Sequence, residues 1–211
     1  MRTLIASLLL AAIALPAGIA KADDKAAVFM FVRDGSRDLE LMLSREVGVM
    51  RQMLEDAGYT VDIATASGEP MVAESVTLTP TVRLEDVEIA AYAGVVLPCM
   101  APAPGMPVPA DVDRIMVEAV TTGLPIAASR GSVATLAKAG GVADRQYAYA
   151  SPVDVAKRPD FAGGDFQGTG VIRDGNISTA GICPLAAREL GEPDGTVELM
   201  QQFIASLTER G

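Results

Sequence analysis

The segment 123–140 constrains this chain more than any other. Residues 123–129, Gly-Leu-Pro-Ile-Ala-Ala-Ser, form a short apolar run that suits a buried strand. Ser129-Arg130-Gly131-Ser132 then turns sharply, and residues 133–140 read as a helix closed by Gly140. Strand, tight turn and helix is the geometry that exposes a nucleophile in many α/β enzymes. Here the turn carries serine and arginine but no cysteine, and the whole chain of 211 residues lacks histidine. The scaffold of an enzyme is predicted without its usual base.

The rest of the chain alternates strand and helix patterns around that segment. Residues 26–32 are continuously apolar and read as a buried parallel strand. Leu39, Met42, Val49, Met50, Met53, Leu54 and Ala57 recur at helical spacing before Gly58. Residues 59–64 and 90–97 read as further strands, and 110–122 as a helix after a proline-rich loop. A hairpin is expected around Asp174-Gly175, with arms 170–172 and 177–180, and an amphipathic helix over 195–207. The alternation predicts an α/β fold, a flavodoxin-like three-layer sandwich with a mostly parallel sheet. Ligands of such sheets bind at the carboxyl ends of the strands. One pocket is therefore expected to gather Arg33 and Asp34, Cys99 and Met100, Ser129 and Arg130, and Gly181 to Pro184.

Residues 1–22 carry a secretory signal pattern: Arg2, an apolar run from Leu4 to Leu15, and Ala20-Lys21-Ala22 as a cleavage site. Export to a bacterial periplasm is the expectation, leaving residues 23–211 as a single domain with no membrane association after cleavage. The formal net charge of −10 sets the chain against nucleic acid phosphates and anionic membranes as partners. A small-molecule ligand is the expected partner. Cys99 and Cys183 are the two cysteines, too few for a disulfide framework and without zinc spacing, so neither a metal nor a cofactor is expected.

Several segments together resemble the ThiJ/PfpI family, the Parkinson-protein-like branch of the glutamine-amidotransferase-like superfamily. Residues 35–40, Gly-Ser-Arg-Asp-Leu-Glu, are similar to a first loop carrying an acidic residue. Residues 84–87, Tyr92 and Val95-Val96-Leu97-Pro98 are similar to the approach to a Leu-Pro-Gly-Gly turn, here Cys99-Met100. Residues 125–128 and 136–140 bracket the position of a Cys-His-Gly elbow, and Asp174-Gly175-Asn176-Ile177-Ser178-Thr179 resembles a late strand. The resemblance implies the fold, a homodimer, and a site in which Glu40 is the acid and Ser129 or Arg130 takes the elbow cysteine's place. The position of the family's downstream histidine falls on Ser151, before Pro152.

Three functional readings follow. In the first, an exported family member without cysteine–histidine chemistry binds a small anionic molecule through Met100, Ser129, Arg130, Gly131 and Cys183. A forked, permanent cation such as Arg130 suits a carboxylate or phosphate, or else a structural ion pair with Glu40. In the second, a thiol-dependent hydrolase, amidase or deglycase-like enzyme uses Cys99 as nucleophile and Glu40 as proton partner. In the third, the Cys99–Cys183 state controls a redox-responsive stress or interaction protein. The two cysteines themselves stay open between a disulfide, a reactive Cys99, a Cu(I) pair assisted by Met100, and buried apolar side chains.

Overall fold

Alternate side chains of the first strand, β1 (Ala27–Val32), bury against opposite layers of helix, because successive strand residues point to opposite faces. Val28, Met30 and Val32 enter one apolar layer, and Phe29 and Phe31 enter the other. This is why the run is apolar without alternation. The computed structural model describes residues 26–150, 155 and 157–210; the leader 1–22 and the Ser151-Pro152 pair lie outside the described residues.

A helix follows in three parts: α1 (Leu39–Met42), a π-helical stretch over Leu43–Val47, and α2 (Gly48–Asp56). Asp38 caps its start by accepting from the Leu41 amide. Next come β2 (Thr60–Thr65), a small antiparallel hairpin of β3 (Met71–Val72) and β4 (Thr77–Leu78), and β5 (Gly94–Leu97). The helix α3 (Ala110–Thr121) leads to β6 (Ile126–Ser129) and α4 (Val133–Lys138). Two short parallel strands, β7 (Gln146–Tyr147) and β8 (Asp165–Phe166), precede the hairpin of β9 (Val171–Asp174) and β10 (Ile177–Ala180). The chain then forms α5 (Pro184–Leu190) and α6 (Thr196–Arg210).

The central sheet has six strands in the order β2-β1-β5-β6-β10-β9. All neighbours are parallel except the β9–β10 hairpin. Its register sets Leu97 opposite Ala128 and Ser129 opposite Ala180, so the carboxyl ends of β5, β6 and β10 stand side by side. The sandwich expected from the sequence is present, with α1, α2 and α6 on one face and α3 and α4 on the other. The final helix approaches the sheet so closely that a Cβ on Gly94 would stand 2.9 Å from Leu207, Phe203 and the Pro125 carbonyl.

The structure departs from the sequence reading in several places: the β3–β4 hairpin and the β7–β8 pair are additional, and of the strand expected over 90–97 only Gly94–Leu97 is extended in the sheet, with a 3-10 turn over Ile89–Ala91 before it. The helix over 39–56 is not continuously α-helical but carries a π-helical stretch over Leu43–Val47, through which Met42, Glu46, Met50 and Leu54 stay buried. The helix α5 was not anticipated, although Pro184 at its start and Gly191 in the left-handed conformation (φ 71°) at its end are ordinary boundary signals. Among the described residues no helix is long and apolar enough to cross a membrane.

Candidate functional site

The turn after β6 is strained at one residue. Ser129 is extended (φ −101°), whereas Arg130 has φ 41°, a conformation unfavourable for a side-chain-bearing residue. Of the two positions left open by the sequence, Arg130 is thus the tip of the elbow. The turn after β5 is strained as well, at Met100 (φ 54°) and Ala101 (φ 42°). A relative with glycines there would adopt this path freely; here other contacts must hold it.

Glu46 supplies those contacts. It projects from the π stretch with no solvent exposure, and it accepts from the amides of Cys99 (3.1 Å) and Met100 (3.0 Å) and from Ser129 Oγ (2.8 Å). One carboxyl thereby ties the ends of β5 and β6 together. Ser132 adds a second tie, donating to the Pro98 carbonyl at 2.7 Å. Burial pushes the Glu46 carboxyl up to about 8, assisted by negative charge at Cys183 and opposed by the three donated hydrogen bonds. Near neutral pH it holds its proton.

Cys99 and Cys183 are free thiols, both buried in the same layer as Met100. Their environments separate them. Cys183 falls to about 7, chiefly because the Cys99 thiol donates to it; burial opposes, and the Ala186 amide, the Arg130 charge and the Leu185 amide assist. Cys99 is pushed well above the ordinary thiol range by the same bond, by burial and by the charges of Glu46 and Cys183. Of the two thiols Cys183 is therefore the one that ionises first. Arg130 Nη1 donates to the Gly181 carbonyl at 2.9 Å, which holds its guanidinium over this end of β10.

The predicted site residues divide into three groups. Cys99, Met100, Ser129, Arg130 and Cys183 come together, with Gly131 so near that a Cβ on it would stand 3.8 Å from Cys99 Sγ. Arg33 and Gly131 line an adjoining cleft of about 280 Å³. Glu40 stands apart at the surface: the hydroxyl and amide of Ser75 donate to its carboxylate and hold it below the ordinary range. It pairs with neither Arg130 nor Cys99, because it sits on the outward side of the helix, over the β3–β4 hairpin. The acid of the cluster is Glu46, which the sequence reading missed. A glutamate between Met42 and Met50 at helical spacing, on an otherwise apolar stripe, was the available signal. Among the described residues no group of three or more His, Cys, Asp or Glu side chains is arranged to hold a metal ion.

The family model of the DJ-1/PfpI family matches residues 25–190. The chain belongs to the DJ-1/PfpI family. A ThiJ/PfpI domain protein from Brachyspira murdochii superposes with a TM-score of 0.69 at 12% identity, over 88% of this chain and 98% of that one. DJ-1beta of Drosophila melanogaster gives a TM-score of 0.56 at 21% identity, over 87% and 98%. A DJ-1 superfamily protein from Agrobacterium tumefaciens gives 0.59 at 16% identity, over 85% and 98%. No curated protein matches the chain. Likeness at these identities concerns the fold, and the chemistry must come from the residues present.

Proposed function

We propose that this chain is a redox-responsive DJ-1/PfpI family protein in which Cys183 is oxidised by a small hydroperoxide and Cys99 resolves the product to a disulfide. The observation that carries this reading is two free thiols buried in the same apolar layer at the ends of neighbouring strands, of which Cys183, beside Arg130, is the more acidic. The Cys183 thiolate attacks one peroxide oxygen, the O–O bond breaks, and the departing alkoxide or hydroxide takes a proton from water. Cys99 Sγ then attacks the Cys183 sulfenic acid. The S–O bond breaks, and the hydroxyl leaves as water with the Cys99 proton. Cys183 is only 1% exposed, which favours small oxidants over proteins as reactants.

In this reading Arg130 serves the thiolate, and Glu46 is a positioning residue that holds the strained turn bearing Cys99. The proposal keeps the exported location and the homodimer expected from the sequence, to be read by fractionation and by light scattering. A hydrolase built on Cys99 and Glu40 finds less support, since these residues are apart and Cys99 holds its proton.

The test follows peroxide consumption by the wild type, Cys183→Ser and Cys99→Ser. Cys183→Ser should lose the reaction, and Cys99→Ser should keep the first turnover and leave a sulfenic acid that dimedone traps. Equal consumption by all three proteins overturns the assignment. A second reading, a small anion bound at the strand ends, rests on the half-buried guanidinium of Arg130, of which the Nη1 atom bonds Gly181. Thermal stabilisation of the double variant Cys99→Ser/Cys183→Ser by citrate or phosphate, lost with Arg130→Gln, would favour it.

A further inference from the structure

We infer that the cleft between the end of β1, α3 and α4 admits an anionic low-molecular-weight thiol that reduces the Cys99–Cys183 disulfide by attack on Cys99. The inference rests on the redox reading above and names the reductant's class and its route.

The charge of the cleft is the first reason. Its walls carry Arg33, Lys138 and Arg158 against a single acid, Asp113, in a chain whose net charge is −10. Lys138 is paired with Asp113, and Arg158 is paired with Asp160 at 3.5 Å. Arg33 has no carboxylate partner among the described residues. It is half-buried, and its Nη2 donates to the Met106 carbonyl at 2.8 Å. A guanidinium that has lost part of its water and, among the described residues, gained no counter-ion favours a ligand bearing a carboxylate. At about 280 Å³ the cleft suits a molecule smaller than those held by ordinary drug-sized pockets, which run from about 300 to 1,000 Å³.

The route is the second reason. Gly131 belongs to the cleft wall, and among the described residues, its chain neighbours apart, the atom that a Cβ placed on it would meet within 4 Å is Cys99 Sγ, at 3.8 Å. The missing side chain leaves Cys99 as the sulfur that adjoins the cleft. Its partner Cys183 stands at the start of α5, beside Arg130, and no cleft-lining residue is shown against it. The thiolate of the reductant attacks Cys99 Sγ, the protein S–S bond breaks, and its electron pair leaves on Cys183. Attack on one sulfur of a disulfide goes faster when the other leaves as the more acidic thiol, and Cys183 is that thiol. A second reductant thiolate then attacks the reductant's sulfur in the mixed disulfide. Cys99 departs as a thiolate and takes a proton from water. Two reductant thiols have become one disulfide, and the protein disulfide has become two thiols.

The experiment uses the oxidised protein, whose disulfide is first verified by mass, and three probes: 3-mercaptopropionate, 2-mercaptoethanol and cysteamine. Second-order rate constants are corrected for thiolate fraction and nucleophilicity. The expected result is a preference of about tenfold for the anionic over the cationic thiol at low salt, shrinking as salt is raised. Arg33→Gln/Lys138→Gln should erase the preference, Gly131→Ala should slow all three thiols, and the quenched intermediate should carry the adduct on Cys99. Equal corrected rates, a preference that survives the double variant, or an adduct on Cys183 overturns the inference while leaving the redox reading standing. Absence of the disulfide before any thiol is added overturns both.

Discussion

Ser129 Oγ donates a 2.8 Å hydrogen bond to Glu46 Oε1 and thereby joins the end of β6 to the π-helical stretch, with both groups buried. The same oxygen accepts from the Cys99 amide, so a change at Glu46 reaches both strained turns at once. Removing the carboxyl in Glu46→Ala leaves two buried amides and a hydroxyl without their acceptor. The expected cost is roughly 2–5 kcal/mol in urea unfolding, against about 1 kcal/mol for Ser129→Ala.

The pH dependence of stability follows from the same group. Glu46 titrates at about 8 when folded, above the ordinary 4.5, so its favourable contribution is complete below about 4.5. That contribution declines as the unfolded chain ionises while the folded one does not, and it is gone above about 8. Cys183 acts oppositely, since its folded value of about 7 lies below 9.0: its contribution is full above about 9 and lost as pH falls through about 7. Glu46→Gln should flatten the decline between pH 5 and 7 that the wild type shows in urea titrations. An unchanged slope would remove Glu46 as its source.

Arg130 should set the ionisation of Cys183. Arg130→Gln removes a nearby positive charge and is expected to move thiolate absorbance, and the pH profile of peroxide reaction, to higher pH. The effect should appear in the profile's midpoint with a smaller change in its plateau. A midpoint that stays in place would mean that the Cys99 thiol and the Leu185 and Ala186 amides suffice.

Packing gives an independent check on the fold. Gly94→Ala places a methyl group against backbone as well as Phe203 and Leu207, and should cost about 1–3 kcal/mol. Phe203→Ala, which empties the same contact from the helix side, should cost about 3–5 kcal/mol. Both are read from thermal or urea unfolding, and Gly94→Ala/Phe203→Ala should cost less than the sum of its parts.

The central strands at residues 27–32, 94–97 and 126–129 were legible because each is a largely apolar run buried on both faces, whereas the two-residue strands β3, β4, β7 and β8 are too short to leave a pattern. The elbow was legible because an apolar strand, a short polar turn and a glycine-capped helix stand in immediate succession. Which residue forms its tip was not, since the positive φ of Arg130 leaves no mark in the residue types of the turn. Glu40 drew the reading because it lies in the loop-to-helix segment that carries the family resemblance, whereas Glu46, in line with the buried Met42 and Met50, lies outside that segment, and its partners Cys99, Met100 and Ser129 are distant in sequence. The difference between the two thiols was illegible for another reason. It depends on Cys99 and Arg130, which are distant from Cys183 in sequence and meet it only at the ends of neighbouring strands.

The central claim is that these two cysteines form one redox centre. The most direct test treats the purified, reduced protein with one equivalent of hydrogen peroxide and follows intact mass and non-reduced peptide maps. A loss of two hydrogens, with a peptide linking Cys99 to Cys183 that dithiothreitol releases, is the predicted result. Recovery of both thiols unchanged, or added oxygen on Cys183 without the linked peptide, would contradict it.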